Sequence, residues 1–135
     1  MRILLIEDEA LIALDAEACL ISAGHEVLGP YKTHDAALAA ARRDRPDIAM
    51  VDINLAGANE GIAIVRDLWD LTGVRSIFAT GQPDIARDNR AFALGVLAKP
   101  YSPPDLINTF PVLQSLIDGG SPPPPAVPAG FEIFR

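Results

Sequence analysis

Short apolar runs alternate with helical stretches five times before residue 118, and that alternation constrains the fold more than any other feature of the chain. Ile3-Leu4-Leu5-Ile6 precedes an Ala- and Leu-rich stretch, 10–23, whose pattern fits a helix ending at Gly24. A more polar strand over 25–30 leads to a second helix with Thr33 as N-cap and Arg42-Arg43 near its end, where positive charge offsets the helix dipole. Pro46 stops that helix. The pattern continues as strand 47–52, helix 60–72, strand 75–80, helix 83–93, strand 95–98, and a helix opened by Ser102 and Pro103 and running to about 118. Strands alternating with helices of roughly 10 to 15 residues make βαβ units, and so a parallel sheet with right-handed crossovers. The fold class is α/β and doubly wound, because strands of continuous rather than alternating apolarity need helices on both faces.

Four of these strands end beside a side chain able to handle phosphate or metal: Glu7-Asp8 after the first, Asp52 after the third, Thr80 after the fourth and Lys99 after the fifth. Open α/β sheets bind ligands at the carboxyl ends of their strands, so these distant residues are expected to converge. Two carboxylates about 4 Å apart repel by several kcal/mol even at an effective dielectric near 20. Mg²⁺ is the natural relief, since it takes hard oxygen ligands and retains waters that a phosphoryl oxygen can replace. Lys99 adds a positive charge, expected to pair with Asp52 in the empty site and with phosphate in the filled one. Thr80 adds a hydroxyl. Phosphoryl transfer is catalysed mainly by positioning and charge neutralisation, and a carboxylate can take up the group covalently, which makes Asp52 the candidate nucleophile.

With Glu7-Asp8, Asp52, Thr80 and Lys99-Pro100 in this order, residues 1 to about 118 resemble the receiver domain of two-component response regulators. The resemblance implies a flavodoxin-like, five-stranded parallel sheet of order 2-1-3-4-5 with five helices. It implies Mg²⁺ bound by Asp8, Asp52 and the backbone carbonyl of Asn54, with Glu7 acting through water, and a cis Lys99-Pro100 bond. It further implies a phosphoacceptor switch that receives its phosphoryl group from a histidine kinase or histidine phosphotransfer protein, promotes its own phosphorylation and dephosphorylation, acts through protein–protein interaction, and can form a homodimer. Phe78-Ala79-Thr80-Gly81 with Lys99-Pro100-Tyr101 is similar to the "FATGUY" subgroup of receivers. Val96 stands where many receivers carry an aromatic switch residue, and Gly81 beside Thr80 points instead to backbone rearrangement of the following loop. Asn54 and Gln82, two residues beyond the acceptor and the hydroxyl, are the positions expected to control phosphoryl lifetime.

A net charge of −7 leaves no basic stripe for nucleic acid, and no apolar run approaches the roughly 18 residues a membrane helix needs. A single cysteine, Cys19, allows no internal disulfide and suits a cytoplasmic location; on its apolar helix it reads as a packed thiol. Trp69 reads as partial core, and His25 and His34 as surface residues without ligand spacing. An aspartyl-phosphate phosphatase is a second reading, but such hydrolases need an acid two residues after the nucleophile, and Asn54 stands there. A receiver-like binding module that is never phosphorylated is a third, disfavoured by the intact set of acids, Thr80 and Lys99. No G-x-G-x-x-G follows the first strand, and no G-x-x-x-x-G-K-[ST] occurs, which weighs against nucleotide binding.

The expectation from the sequence is a receiver without an output domain, and residues 119–135 read as a Gly/Pro-rich C-terminal tail. Its Pro-rich part favours extended polyproline geometry. Phe131-Glu132-Ile133-Phe134-Arg135 alternates enough to add a strand to an exposed sheet edge, but the expectation for such an end is fraying.

Overall fold

The computed structural model describes residues 1–120 and 126–134; the polyproline expectation for 121–125 lies outside the described residues. Strands β1 (Arg2–Ile6), β2 (Glu26–Tyr31), β3 (Ile48–Asp52), β4 (Ser76–Thr80), β5 (Ala93–Ala98) and β6 (Phe131–Ile133) form one sheet of order 2-1-3-4-5-6. The first five pair in parallel, in the order expected. Helices α1 (Ala10–Ser22), α2 (His34–Asp44), α3 (Glu60–Thr72), α4 (Pro83–Asp88) and α5 (Pro103–Ile117) make the crossovers.

The doubly wound arrangement shows in the direction of alternate side chains. Leu4, Ile6, Ala49, Val51, Phe78 and Val96 join Leu38 of α2 and Ile64 and Leu68 of α3 in one core. Ile3, Leu5, Ile48, Met50, Ile77 and Leu97 join Leu20 of α1 and Leu106, Phe110 and Leu113 of α5 in the other. Each fully buried aliphatic or aromatic side chain contributes about 1.5–3 kcal/mol of hydrophobic free energy, so the two cores between them hold the sheet in register. Thr33 and Ser102 cap α2 and α5 as expected, their side-chain oxygens accepting from the backbone N–H of Ala36 at 3.2 Å and of Asp105 at 3.2 Å.

Two expectations need correction. The helix expected over 83–93 is α4 of six residues, followed by a 3₁₀ turn at Arg90–Phe92. Asn89 breaks it: its side-chain amide donates to the Ile85 carbonyl at 2.8 Å, replacing a backbone bond the helix would have made. The sheet has six strands rather than five, because the C-terminal segment is not frayed but pairs antiparallel with β5, Leu97 opposite Phe131 and Gly95 opposite Ile133. Phe131 is buried against the α1/α5 core, and that apolar anchor, together with the open hydrogen-bonding edge of β5, holds the strand.

Candidate functional site

Parallel register brings the strand ends level. Ile6 lies opposite Val51, Asp52 opposite Ala79, and Thr80 opposite Ala98, so the residues at or just beyond these positions share one edge of the sheet. Carboxylate oxygens of Glu7, Asp8 and Asp52 all lie within 4.8 Å of one another. Glu7 and Asp52 are nearly buried, at 3% and 4% exposure, and Thr80 is fully so. All six sequence-predicted site residues belong to this region: Asn54 follows Asp52 closely, its backbone N–H donating to Asp52 Oδ1 at 3.1 Å.

Lys99 departs from expectation. Its Nζ donates to Glu7 Oε1 and stands 3.6 Å from Asp52 Oδ1, so Glu7 rather than Asp52 is its nearer partner. Glu7 and Asp52 are both nearly buried, so each loses hydration and gains from a contacting cation. Burial, opposed by Lys99 and assisted by the Asp52 charge, pushes the Glu7 carboxyl up to about 7. The Lys99-Pro100 bond is cis, as the resemblance implied, and the Lys99 N–H donates to the Thr80 carbonyl at 2.8 Å.

Thr80 Oγ1 accepts from the Gln82 N–H at 3.0 Å, which leaves its own proton available to donate. Gln82 in turn accepts from the Asn54 side-chain amide at 3.4 Å. Asp52 and Lys99 open onto a cavity of about 530 Å³ that runs between α1 and α5 past Asp15, Cys19 and Tyr101. That space admits a phosphoryl group to the Asp52 carboxylate. Tyr101 on its wall was not singled out for a role by sequence; its hydroxyl is buried with no protein partner among the described residues, and burial pushes it further toward the neutral form.

The donor set suits a hard divalent cation. Three carboxylates face one ammonium, with no sulfur or imidazole in the group, and an oxygen-only cluster with surplus negative charge matches Mg²⁺ chemistry.

Comparison with known proteins agrees with this geometry. Residues 3–110 match the family model of the response regulator receiver domain. The chain is 38% identical over 104 residues to the phyllosphere-induced regulator PhyR of Methylorubrum extorquens, a match covering 76% of this chain and 39% of that protein. The chain thus spans less than half the length of this curated relative. Among solved structures, the signal receiver domain of a modulated diguanylate cyclase from Desulfovibrio desulfuricans superposes with a TM-score of 0.74 at 32% identity, covering 87% of this chain and 94% of that one. The receiver domain of the sensor histidine kinase PA1611 from Pseudomonas aeruginosa gives 0.72 at 28% identity over 87% and 97% of the two chains, and carries a magnesium ion coordinated in its active-site cleft.

Proposed function

The chain belongs to the response regulator receiver family, and from that premise we propose that it is a Mg²⁺-dependent phosphoacceptor switch with Asp52 as the acceptor. An Asp52 carboxylate oxygen bonds to the phosphorus of a partner's phosphohistidine while the P–N bond breaks and the imidazole leaves, giving an acyl phosphate. Lys99 moves its ammonium from Glu7 toward the incoming phosphoryl oxygens, and Thr80 donates its hydroxyl proton to another. Asp8, Asp52 and the backbone carbonyl of Asn54 would hold the metal, with Glu7 acting on it through water. A bound Mg²⁺ supplies neutralisation of the negative charge on the transferring group.

One observation carries this reading: a nearly buried Asp52 carboxylate opens onto a cavity of about 530 Å³ with an ammonium 3.6 Å away and two further carboxylates beside it. The donor is a histidine kinase or a histidine phosphotransfer protein in the cytoplasm, and the phosphorylated chain acts by binding another protein. Residues 1–118 are the receiver unit and 119–135 its appendage. Among the described residues no helix is long and apolar enough to cross a membrane.

The test is intact-mass measurement after incubation with Mg²⁺ and acetyl phosphate. One added phosphoryl group, absent with Asp52→Asn, is expected. Steady phosphate release without an adduct would indicate a phosphatase, and no adduct under any condition a silent binding module.

A further inference from the structure

Strand β6 is built into its seat rather than laid over it. Its neighbours Gly130 and Phe134 complete the ladder, the Ala98 N–H donating to the Gly130 carbonyl at 2.9 Å and the Phe134 N–H to the Leu94 carbonyl at 2.9 Å. Gly95 of β5 has no room for a side chain. A Cβ there would stand 2.3 Å from the Glu132 carbonyl oxygen and 2.6 Å from the Phe131 ring, and its nearest neighbours are all atoms of β6. Gly130 is likewise pressed against α5, where a Cβ would come within 2.8 Å of Asp105 Oδ2. From α4, Arg87 Nε donates to both carboxylate oxygens of Glu132, at 2.8 and 3.0 Å. The edge of β5, flanked by Arg87 and Asp105, is thus shaped for an extended segment of aromatic, acidic and aliphatic residues, and in this chain residues 131–133 supply it.

The same strand is tied to the phosphoacceptor site from two sides. Ala98, which bonds Gly130, immediately precedes Lys99. Thr80 Oγ1 accepts from Gln82, whose carbonyl accepts from Ile85 N–H to open α4, and Arg87 lies in the last turn of that six-residue helix. A movement of the Thr80 hydroxyl is thereby coupled, through Gln82, to the loop that begins α4. Gly81, in that loop, uses none of its freedom in the present conformation: its φ is not in the left-handed region, and a Cβ would meet nothing within 4 Å. Glycine at this position leaves the loop backbone conformations that are closed to other residues.

We propose that residues 130–134 are a detachable strand that occupies a peptide-docking edge on β5, and that phosphorylation of Asp52 shifts α4, breaks the Arg87–Glu132 pair and releases the edge to an extended segment of a partner protein. This deepens the phosphoacceptor reading and rests on it. An open sheet edge recognises such a segment through its backbone, with alternate side chains supplying selectivity. A partner segment carrying an aromatic, an acid and an aliphatic residue in succession fits the seat that Phe131, Glu132 and Ile133 now fill.

Two measurements on the full chain test it. Amide hydrogen exchange should show Glu132 and Phe134, whose N–H groups face β5, protected in the resting protein, and about tenfold or more faster both in Gly95→Ala and in wild type under Mg²⁺ and acetyl phosphate, with intact mass read on the same samples. An adduct without loss of protection overturns the coupling while leaving Asp52 as acceptor; no adduct removes both. Separately, a labelled peptide of sequence Ala-Gly-Phe-Glu-Ile-Phe-Arg should bind Phe131→Asp, whose edge is bare, about tenfold or more tightly than unphosphorylated wild type, and lose that affinity when Gly95→Ala is added. Equal, weak binding to all three overturns the docking edge. A dimer of Phe131→Asp by light scattering would give the edge to a second copy and overturn the separate partner.

Discussion

Lys99 is closer to Glu7 than to Asp52, the residue it is proposed to serve in catalysis: its Nζ donates to Glu7 Oε1 and lies 3.6 Å from Asp52 Oδ1. The ammonium is thus held beside the acceptor while it offsets the charge of a second buried carboxylate. Replacing it with an apolar side chain leaves two buried acids without that cation. Lys99→Met is expected to cost roughly 2 kcal/mol of stability near pH 8 without Mg²⁺, less near pH 5, and to slow adduct formation by about tenfold or more. Urea unfolding at both pH values, together with timed intact-mass measurements, checks this; equal stability of variant and wild type at the higher pH would contradict it.

Glu7 sets a pH dependence of its own. Its folded carboxyl stands at about 7 against an ordinary 4.5, raised chiefly by burial, so the folded state holds a proton that the unfolded state has released. Stability contributed by that proton is fully present below about 4.5 and is lost as pH rises through about 7, up to roughly 3 kcal/mol in all. The metal-free protein is therefore expected to weaken from pH 5 to pH 8 in urea melts. Mg²⁺ binds the ionised carboxylates and should stabilise more at pH 8 than at pH 5. Glu7→Gln should flatten the profile, and a wild-type profile that rises over this range would defeat the assignment.

Alternating strands and helices made the α/β class legible, and residues at strand ends pointed to the cluster that the structure brings together at one sheet edge. What stayed hidden depends on single contacts. Nothing in Asn89 announces that its amide would take the Ile85 carbonyl and end α4 early. A strand as short as Phe131–Ile133 carries the same alternation as many free tails; only the bare edge of β5 and the missing side chain of Gly95 show where it goes. The placing of Lys99 Nζ on Glu7 Oε1 rather than on Asp52 is a side-chain geometry that no spacing encodes. His34, read as a surface residue without ligand spacing, is half-buried against Asp67 of α3, a contact between helices distant in sequence.

His34 Nε2 and Asp67 Oδ2 are 2.7 Å apart, and this contact, with help from Asp35, raises the imidazole above its ordinary 6.5 while lowering the Asp67 carboxyl. The imidazolium's contribution to joining α2 and α3 is present below 6.5 and lost as pH rises through the raised folded value; the Asp67 contribution is lost at the acid end. An NMR titration of the His34 ring should give a midpoint above 6.5 that falls in Asp67→Asn. A midpoint that does not move on that substitution would show that Asp67 is not the cause.

Gly61, at the start of α3, tests how closely the acceptor strand is held. Its N–H donates to the Ile53 carbonyl at 3.0 Å, and a Cβ at this position would stand 2.0 Å from the Asp52 carbonyl oxygen and 2.7 Å from Ile53 Cα. Those are backbone atoms of the chain just at and after the acceptor, so no side-chain rotation can relieve the clash; α3 must move outward or β3 must bend. Gly61→Ala is expected to destabilise the protein by about 2 kcal/mol or more, against the small gain that alanine ordinarily brings to a helix. Because the displaced atoms carry Asp52, adduct formation from acetyl phosphate should also slow in whatever fraction remains folded. Gly73→Ala, where a Cβ meets nothing within 4 Å, is the control for stability: it should lose only the cost of its left-handed φ of 72° and leave the rate of adduct formation unchanged. Normal stability and adduct rate in Gly61→Ala would mean that α3 does not hold the acceptor strand through this close approach.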